Sequence, residues 1–238
     1  MTLTGYAYEI MELLQKNLVD DFFIDIRLVK QMIKDQRQLA ISNAINKGGQ
    51  SGGGQDYGTS SGYDGGWEAY VVTTVVDMEI VNPIIDPDPS CIPPCIEYPL
   101  LWKSTDEFPD VLTMGRRPAV LRIIPLYGSD IPIKSNILFS SHDRARFVGN
   151  GRFNTHQVVG YIRDDTLWLT SKNPLCTDNF QIIVDAIFAD PTELPDFNEE
   201  IDEFPLGKLW PYMIPQILEA LLLKFKLQED KINDATNP

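Results

Sequence analysis

The sequence predicts an α+β fold: a helical bundle from an N-terminal helix pair and a C-terminal helix, with a central antiparallel β-rich part and long Gly-rich and Pro-rich loops. Three patterns lead there. Apolar residues recur every three or four positions near both ends of the chain, and the middle is dense in β-branched residues broken by turns. Between these lie one stretch of glycine and one of proline that suit neither element. With 238 residues, 43% of them apolar, the chain can bury a substantial core.

In the first helix, expected over about residues 5 to 18, Thr4 is the proposed N-cap and Tyr6, Ile10, Leu13, Leu14 and Leu18 fall at helical spacing. After a break at Asn17 to Asp21, Asp25 caps a second helix. Its stripe is Leu28, Val29, Met32, Ile33, Leu39, Ala40 and Ala44, with Arg27, Lys30, Lys34, Asp35 and Arg37 on other faces. Gly48 and Gly49 should end it. Nine of the sixteen glycines lie between Gly48 and Gly66, which predicts a flexible loop. AYVVTTVVDMEIV, Ala69 to Val81, reads as a long strand, and the proline-dense stretch Asn82 to Pro99 as an extended arm. Further strands are expected at Ala119 to Ile124, Ile131 to Phe139, Gln157 to Arg163, Thr166 to Thr170 and Phe180 to Phe188, the third and fourth forming a hairpin about Asp164 and Asp165. DPTELPDFNEEIDEFP then follows as an acidic loop. The last helix presents Ile214, Ile217, Leu218, Leu221, Leu222 and Phe225, and starts in the neighbourhood of Pro211 or Pro215, since proline suits a first turn. The expected organisation is a helical part from residues 1–47 and 205–230, a loop at 48–66, a β-rich part at 67–204 carrying the arm at 82–99, and a tail at 231–238.

The net charge of −14 opposes nonspecific nucleic-acid binding, which depends on Lys and Arg displacing counterions from phosphate. The charge is also segregated. Residues 48–115 hold one basic and eleven acidic side chains, residues 116–175 nine basic and four acidic, and residues 176–206 nine acidic with no Lys or Arg. Such blocks are commonly solvated faces. They also suit head-to-tail contact between copies, acidic surface against basic. No run of about 18 apolar residues and no signal-peptide pattern is present, so a protein of the cytosol or of an assembled particle is expected.

No catalytic, cofactor or metal site is predicted. The Gly-rich stretch follows a helix and leads to a strand, the reverse of a phosphate loop, and contains no Lys or Arg. Cys91 and Cys95 make one close pair, with Cys176 distant; zinc would need a further ligand such as His142 or His156, so reduced thiols are the expectation. Ser140 to Asp143 holds every residue type of a hydrolase triad, but neighbours along an extended segment point to alternate faces. Asp164 and Asp165 suit a turn better than acid–base work. Arg116, Arg117, Arg122, Arg144, Arg146, Arg152 and Arg163, with Phe147, Phe153 and Tyr161, suit protein contact more than nucleic acid.

IDIRLVKQMIKDQRQLAI (24–41), YIRDDTLWL (161–169) leading to IIVDAIFADPTE (182–193), FPLGKLWPYMIPQILEALLL (204–223) and EDKIND (229–234), taken together, resemble virion structural proteins of tailed phages, especially the crAss-like phages. Proteins of that group look like ring or head-to-tail adaptor components of the neck. The resemblance implies a noncatalytic ring, commonly twelvefold, stacked below the portal, enclosing the channel through which DNA passes without sequence-specific binding, and touching other neck or tail proteins but no membrane. It implies localisation in the neck or tail of a virion assembled in the host cytoplasm, and supplies no catalytic residue.

On this reading Arg144, Arg146 and Arg152 of one copy face Asp190, Glu193, Glu199 and Glu200 of the next, and the Pro-rich arm or C-terminal tail meets an adjoining ring. In the Gly-rich loop, Tyr57 and Tyr63 are the candidate anchors to a neighbour. The alternative is a receptor- or carbohydrate-binding β module of a phage particle, which requires Trp67, Trp102, Trp168 and Trp210 to share one groove.

Overall fold

The computed structural model describes residues 1–17, 24–50, 67–81, 100–114, 117–126, 137–145, 157–171 and 180–233. The chain divides into two compact units, one formed by Met1–Tyr70 with Asp190–Pro238 and the other by Val71–Ala189. The described helices are α1 (Leu3–Asn17), α2 (Ile26–Gln50), the single turn α3 (His142–Ala145) and α4 (Trp210–Asn233). As the sequence predicts, α1, α2 and α4 pack on one another and the second unit is built on a largely antiparallel sheet.

The helical unit follows from i, i+3 and i+4 spacing. Leu3, Ala7, Ile10 and Leu14 of α1 meet Val29 and Ile33 of α2 and Met213, Ile217 and Leu221 of α4 in one core, closed by Phe204 and Leu206. Each large aliphatic side chain buried there contributes about 1.5–3 kcal/mol. Thr2, not Thr4, caps α1. The Gly5 N–H donates to Thr2 Oγ1 at 3.1 Å, while the Thr4 N–H and hydroxyl both donate to the Glu199 carbonyl at 3.4 Å. Asp25 does cap α2, accepting from the Arg27 N–H at 2.9 Å.

Two expectations for α2 fail. The helix does not stop at Gly48 but runs through both glycines to Gln50. Its buried line is Val29, Ile33, Arg37 and Ile41, so Arg37 is fully buried while Leu39 is 51% exposed. The reason is geometric: the buried positions step by four, and Leu39 lies on the opposite side of that line. At the C-terminal helix, Gly207–Leu209 forms a 3-10 turn and α4 begins at Trp210, so Pro211 sits in the first turn and Pro215 inside the helix. Gly207 has φ of +52°, and a Cβ there would lie 2.9 Å from the Ala69 Cβ; both reasons restrict the position to glycine.

In the second unit the strands are β1 (Val72–Ile80), β2 (Leu100–Ser104), β3 (Thr113–Met114), β4 (Arg117–Pro118), β5 (Val120–Pro125), β6 (Leu138–Phe139), β7 (Val158–Arg163), β8 (Thr166–Ser171) and β9 (Phe180–Ala186). Seven form one sheet in the order β5-β9-β1-β2-β8-β7-β6, and β3 with β4 makes a separate small hairpin. All ladders of the large sheet are antiparallel except β6 with β7. The sheet nearly closes on itself, because Ile137, just before β6, bridges to Ile123 of β5, its N–H donating to the Ile123 carbonyl at 2.9 Å.

Register sets which side chains fill this near-barrel. Met78 pairs with Phe180 and Ser104, Trp102 with Leu169, and Leu169 with Gly160, and all are buried. Ile182 and Val184 of β9 and Ile123 of β5 complete the interior. At Gly160 a Cβ would come within 3.0 Å of Ile123 and 3.1 Å of Leu169, so the missing side chain allows the two to approach. Trp102, fully buried, meets Phe180 edge-on at 5.6 Å.

The expected hairpin is present: β7 and β8 pair from Arg163–Thr166 to Val158–Ser171 about Asp164 and Asp165, whose φ values of 51° and 53° fit a two-residue turn. The expected strand at 69 begins instead at Val72, after a 3-10 turn over Trp67–Tyr70. The strand expected over 131–139 is described only as Leu138–Phe139. Strand β2 was not among the expected elements. Residues 51–66 of the Gly-rich loop, the arm at 82–99 and the tail at 234–238 lie outside the described residues.

Candidate subunit interface

The acidic segment after β9 contains one 3-10 turn, Pro191–Glu193, and no longer element, yet its apolar residues anchor it to the helices. Pro191, Leu194, Phe204, Pro205 and Leu206 are buried, and Phe197 meets Phe204 edge-on at 6.2 Å. Asp190 begins it, accepting from the Thr192 N–H at 3.0 Å and hydroxyl at 2.8 Å. Two α2 lysines, one turn apart, then pair with its carboxylates. Lys34 reaches Asp190 at 3.0 Å and Glu199 at 3.4 Å and also donates to the Thr192 hydroxyl; Lys30 reaches Glu199 at 2.8 Å.

Asp190 and Glu199 are thus engaged within their own chain, whereas Glu193 and Glu200 are exposed. Partial burial pushes the Glu199 carboxyl up, but the Lys30 hydrogen bond and charge, followed by those of Lys34, outweigh it and hold the carboxyl below its ordinary value of 4.5. The sign follows: the contribution is present above 4.5 and is lost as pH falls through the lowered value. Hydrogen exchange around Glu199 should accelerate in acid. Replacing Glu199 with Gln should remove that pH dependence, and an unchanged acid profile in the variant would refute the assignment.

The basic residues divide. Arg122 pairs with Asp185 at 2.7 Å, while Thr73 donates to the other oxygen of that carboxylate at 2.7 Å; Arg163 pairs with Asp164 at 3.2 Å. Arg144 is exposed on α3 and forms no ion pair among the described residues. Arg116, Arg146, Arg152, Phe147 and Phe153 lie outside the described residues, as do Tyr57 and Tyr63.

Helix α3 packs over the outer side of β7. His142 meets Tyr161 at 5.1 Å, and Tyr161 and Trp168 lie nearly parallel, 6° apart, at 6.4 Å. These rings, with Leu101, Ala145, Arg163 and Thr170, line an open recess of about 400 Å³. Within the β unit Trp102 and Trp168 do not share one groove, and the Trp67 side chain lies outside the described residues. Trp102 is interior to the sheet and Trp168 lines the recess, while in the helical unit Trp210 packs against Tyr6 at 4.4 Å and donates to Glu9 at 3.0 Å.

The remaining sequence candidates bring no constellation together. Ser140 follows β6, its N–H donating to the Gly160 carbonyl at 2.9 Å, and the Ser141 carbonyl accepts from the Arg144 and Ala145 N–H groups at 3.0 Å, so SSHD joins a strand end to the turn α3. Cys91, Cys95, Cys176 and His156 lie outside the described residues. Among the described residues no group of three or more His, Cys, Asp and Glu is placed to hold a metal.

The family model described as phage tail ring protein 2 matches residues 6–238. The chain belongs to that family. As a tail ring protein of the crAss-like phages it is a virion structural protein of the tail region, its family implies a noncatalytic role, and a ring implies several copies of one chain. No curated protein matches the tail ring protein. Among its described residues no helix is long and apolar enough to cross a membrane.

Proposed function

We propose that this tail ring protein is a noncatalytic subunit of the head-to-tail connector, forming a closed ring that docks below the portal and encloses the DNA channel. The observation that carries the reading is the family match over residues 6–238. Charge segregation supports it, because a closed ring uses two different surfaces per subunit and this chain concentrates acids in 176–206 and bases in 116–175. Twelve copies are proposed by likeness to connector rings. An acidic inner wall lets DNA slide, since like charges prevent adhesion.

The contact pairs Arg144, Arg146 and Arg152 of one copy with the acidic segment of the next. Asp190 and Glu199 hold that segment to α2, and exposed Glu193 and Glu200 face outward from it. The arm at 82–99 or the C-terminal tail reaches the adjoining ring. Reversing Arg144 and Arg146 to Glu should weaken ring assembly about tenfold or more, and added salt should weaken the wild type in the same direction. Native mass spectrometry across a salt series reads both. Unchanged assembly of the variant would rule this contact out.

A further inference from the structure

The outer side of α4 differs from those of the helices it packs against. The exposed positions of α2 include Arg27, Gln31, Asp35 and Gln38 with one large apolar residue, Leu39, and those of α1 include Glu12, Gln15 and Lys16 with one, Tyr8. In α4 the buried line is Met213, Ile217 and Leu221. At 100° per residue, Pro211, Tyr212, Pro215 and Leu223 fall on the far side with Glu219 among them, whereas Leu218 and Leu222 pack against the helical core. Pro211 and Pro215 are exposed, and Tyr212 and Leu223 are 74% and 55% exposed. From Pro211 to Leu223 the only charged residue is Glu219.

Four exposed apolar side chains on one face of a helix, with a single acid among them, form a patch of the kind that marks a contact surface. One unit of this chain covers one side of α4, and membership of a ring family supplies the occupant of the other. We infer that the exposed strip formed by Pro211, Tyr212, Pro215 and Leu223 is the apolar core of the contact between neighbouring copies. Its chemistry fits that occupant: with no Lys or Arg in the strip it offers nothing to phosphate, and with a single acid it offers little to a basic partner. The inference rests on the ring reading and deepens it, because interfaces combine an apolar centre with a polar rim and the proposed arginine–carboxylate pairs then form the rim. A strip about 18 Å long is too small to be the whole contact, whose usual extent is about 800 Å² per partner.

The test is a double variant, Tyr212→Asp with Leu223→Asp, compared with wild type by native mass spectrometry and thermal unfolding. Both side chains are largely exposed in the subunit, so the unfolding temperature should hold while self-association weakens about a hundredfold or more. Hydroxyl-radical footprinting of wild type should show Tyr212 protected in the ring and reactive in the dissociated subunit. Full assembly of the double variant overturns the inference, as does Tyr212 equally reactive in both states. Equal protection in both states also overturns it, since a segment of the same chain would then be the cover. If the double variant assembles while the Arg144 and Arg146 reversal does not, this inference fails and the ring stands. A wild-type subunit that neither self-associates nor occupies the particle overturns both.

Discussion

Replacing Arg37 with Ala should destabilise the helical unit by roughly 3–5 kcal/mol, the range for large core truncations that also leave buried carbonyls unsatisfied. Arg37 is fully buried on α2. Its Nε–H donates to the Pro205 carbonyl at 3.0 Å and a terminal N–H to the Tyr70 carbonyl at 3.3 Å, and the guanidinium lies 5.7 Å from the centre of the Phe204 ring. One side chain therefore ties the second helix to chain segments 33 and 168 residues away. Burial lowers its pKa to about 10, which still leaves it charged at neutral pH, with Asp190 and then Tyr70 opposing the shift. Lysine should recover only part of the loss, because one ammonium cannot reproduce the planar fork of a guanidinium. Urea unfolding followed through hydrogen exchange of α2 and α4 reads the effect; a loss under about 1 kcal/mol would show that the carbonyls find other donors.

In the β unit the largest expected effect is at Trp102. It is fully buried, aligned with Leu169 on one side and Ile80 on the other, and edge-on to Phe180. Trp102→Ala should cost about 3–5 kcal/mol through lost burial and the cavity left behind. Because a near-closed sheet fails as one cooperative ladder, exchange should rise across β1, β2, β8 and β9 together. A rise confined to β2 would contradict that picture. Trp168→Ala serves as the comparison: Trp168 is half-buried on the outer recess, and its loss should be felt locally.

Where the physics is local, the sequence predicts the structure well. The stripe through Tyr6, Ile10 and Leu14, the cap at Asp25 and the turn at Asp164 and Asp165 depend on residues within a few positions of one another. Tertiary competition accounts for most of the misses. Arg37 reads as surface because charge outweighs position in a periodicity argument, yet two distant carbonyls and an aromatic ring hold it inside. Strand β2, LLWKS, follows a proline-dense stretch and contains Lys103; only its place between β1 and β8 makes it a strand, and Lys103 points outward to Glu79 at 2.8 Å. Thr4 lost the capping role to Thr2 because its own hydroxyl is drawn to the Glu199 carbonyl, a partner 195 residues away.

The surfaces were harder to read than the fold. Charge blocks are visible in the sequence, but not which charges pair within the chain: Asp190 and Glu199 engage Lys30 and Lys34 only because segment 190–206 folds back on α2. The outer strip of α4 was legible in principle. Pro211, Tyr212, Pro215 and Leu223 are apolar residues that the buried line of Met213, Ile217 and Leu221 does not use, and that excess points to a second contact face.

The central claim is that copies of this chain close into a ring in the particle's tail region as part of the head-to-tail connector. Imaging of intact particles with the subunit tagged at its C-terminus tests it most directly. The expected result is a single closed annulus of tagged subunits coaxial with the DNA channel, between portal and tail. Tagged density scattered on the particle surface, or projecting as isolated subunits, would contradict it.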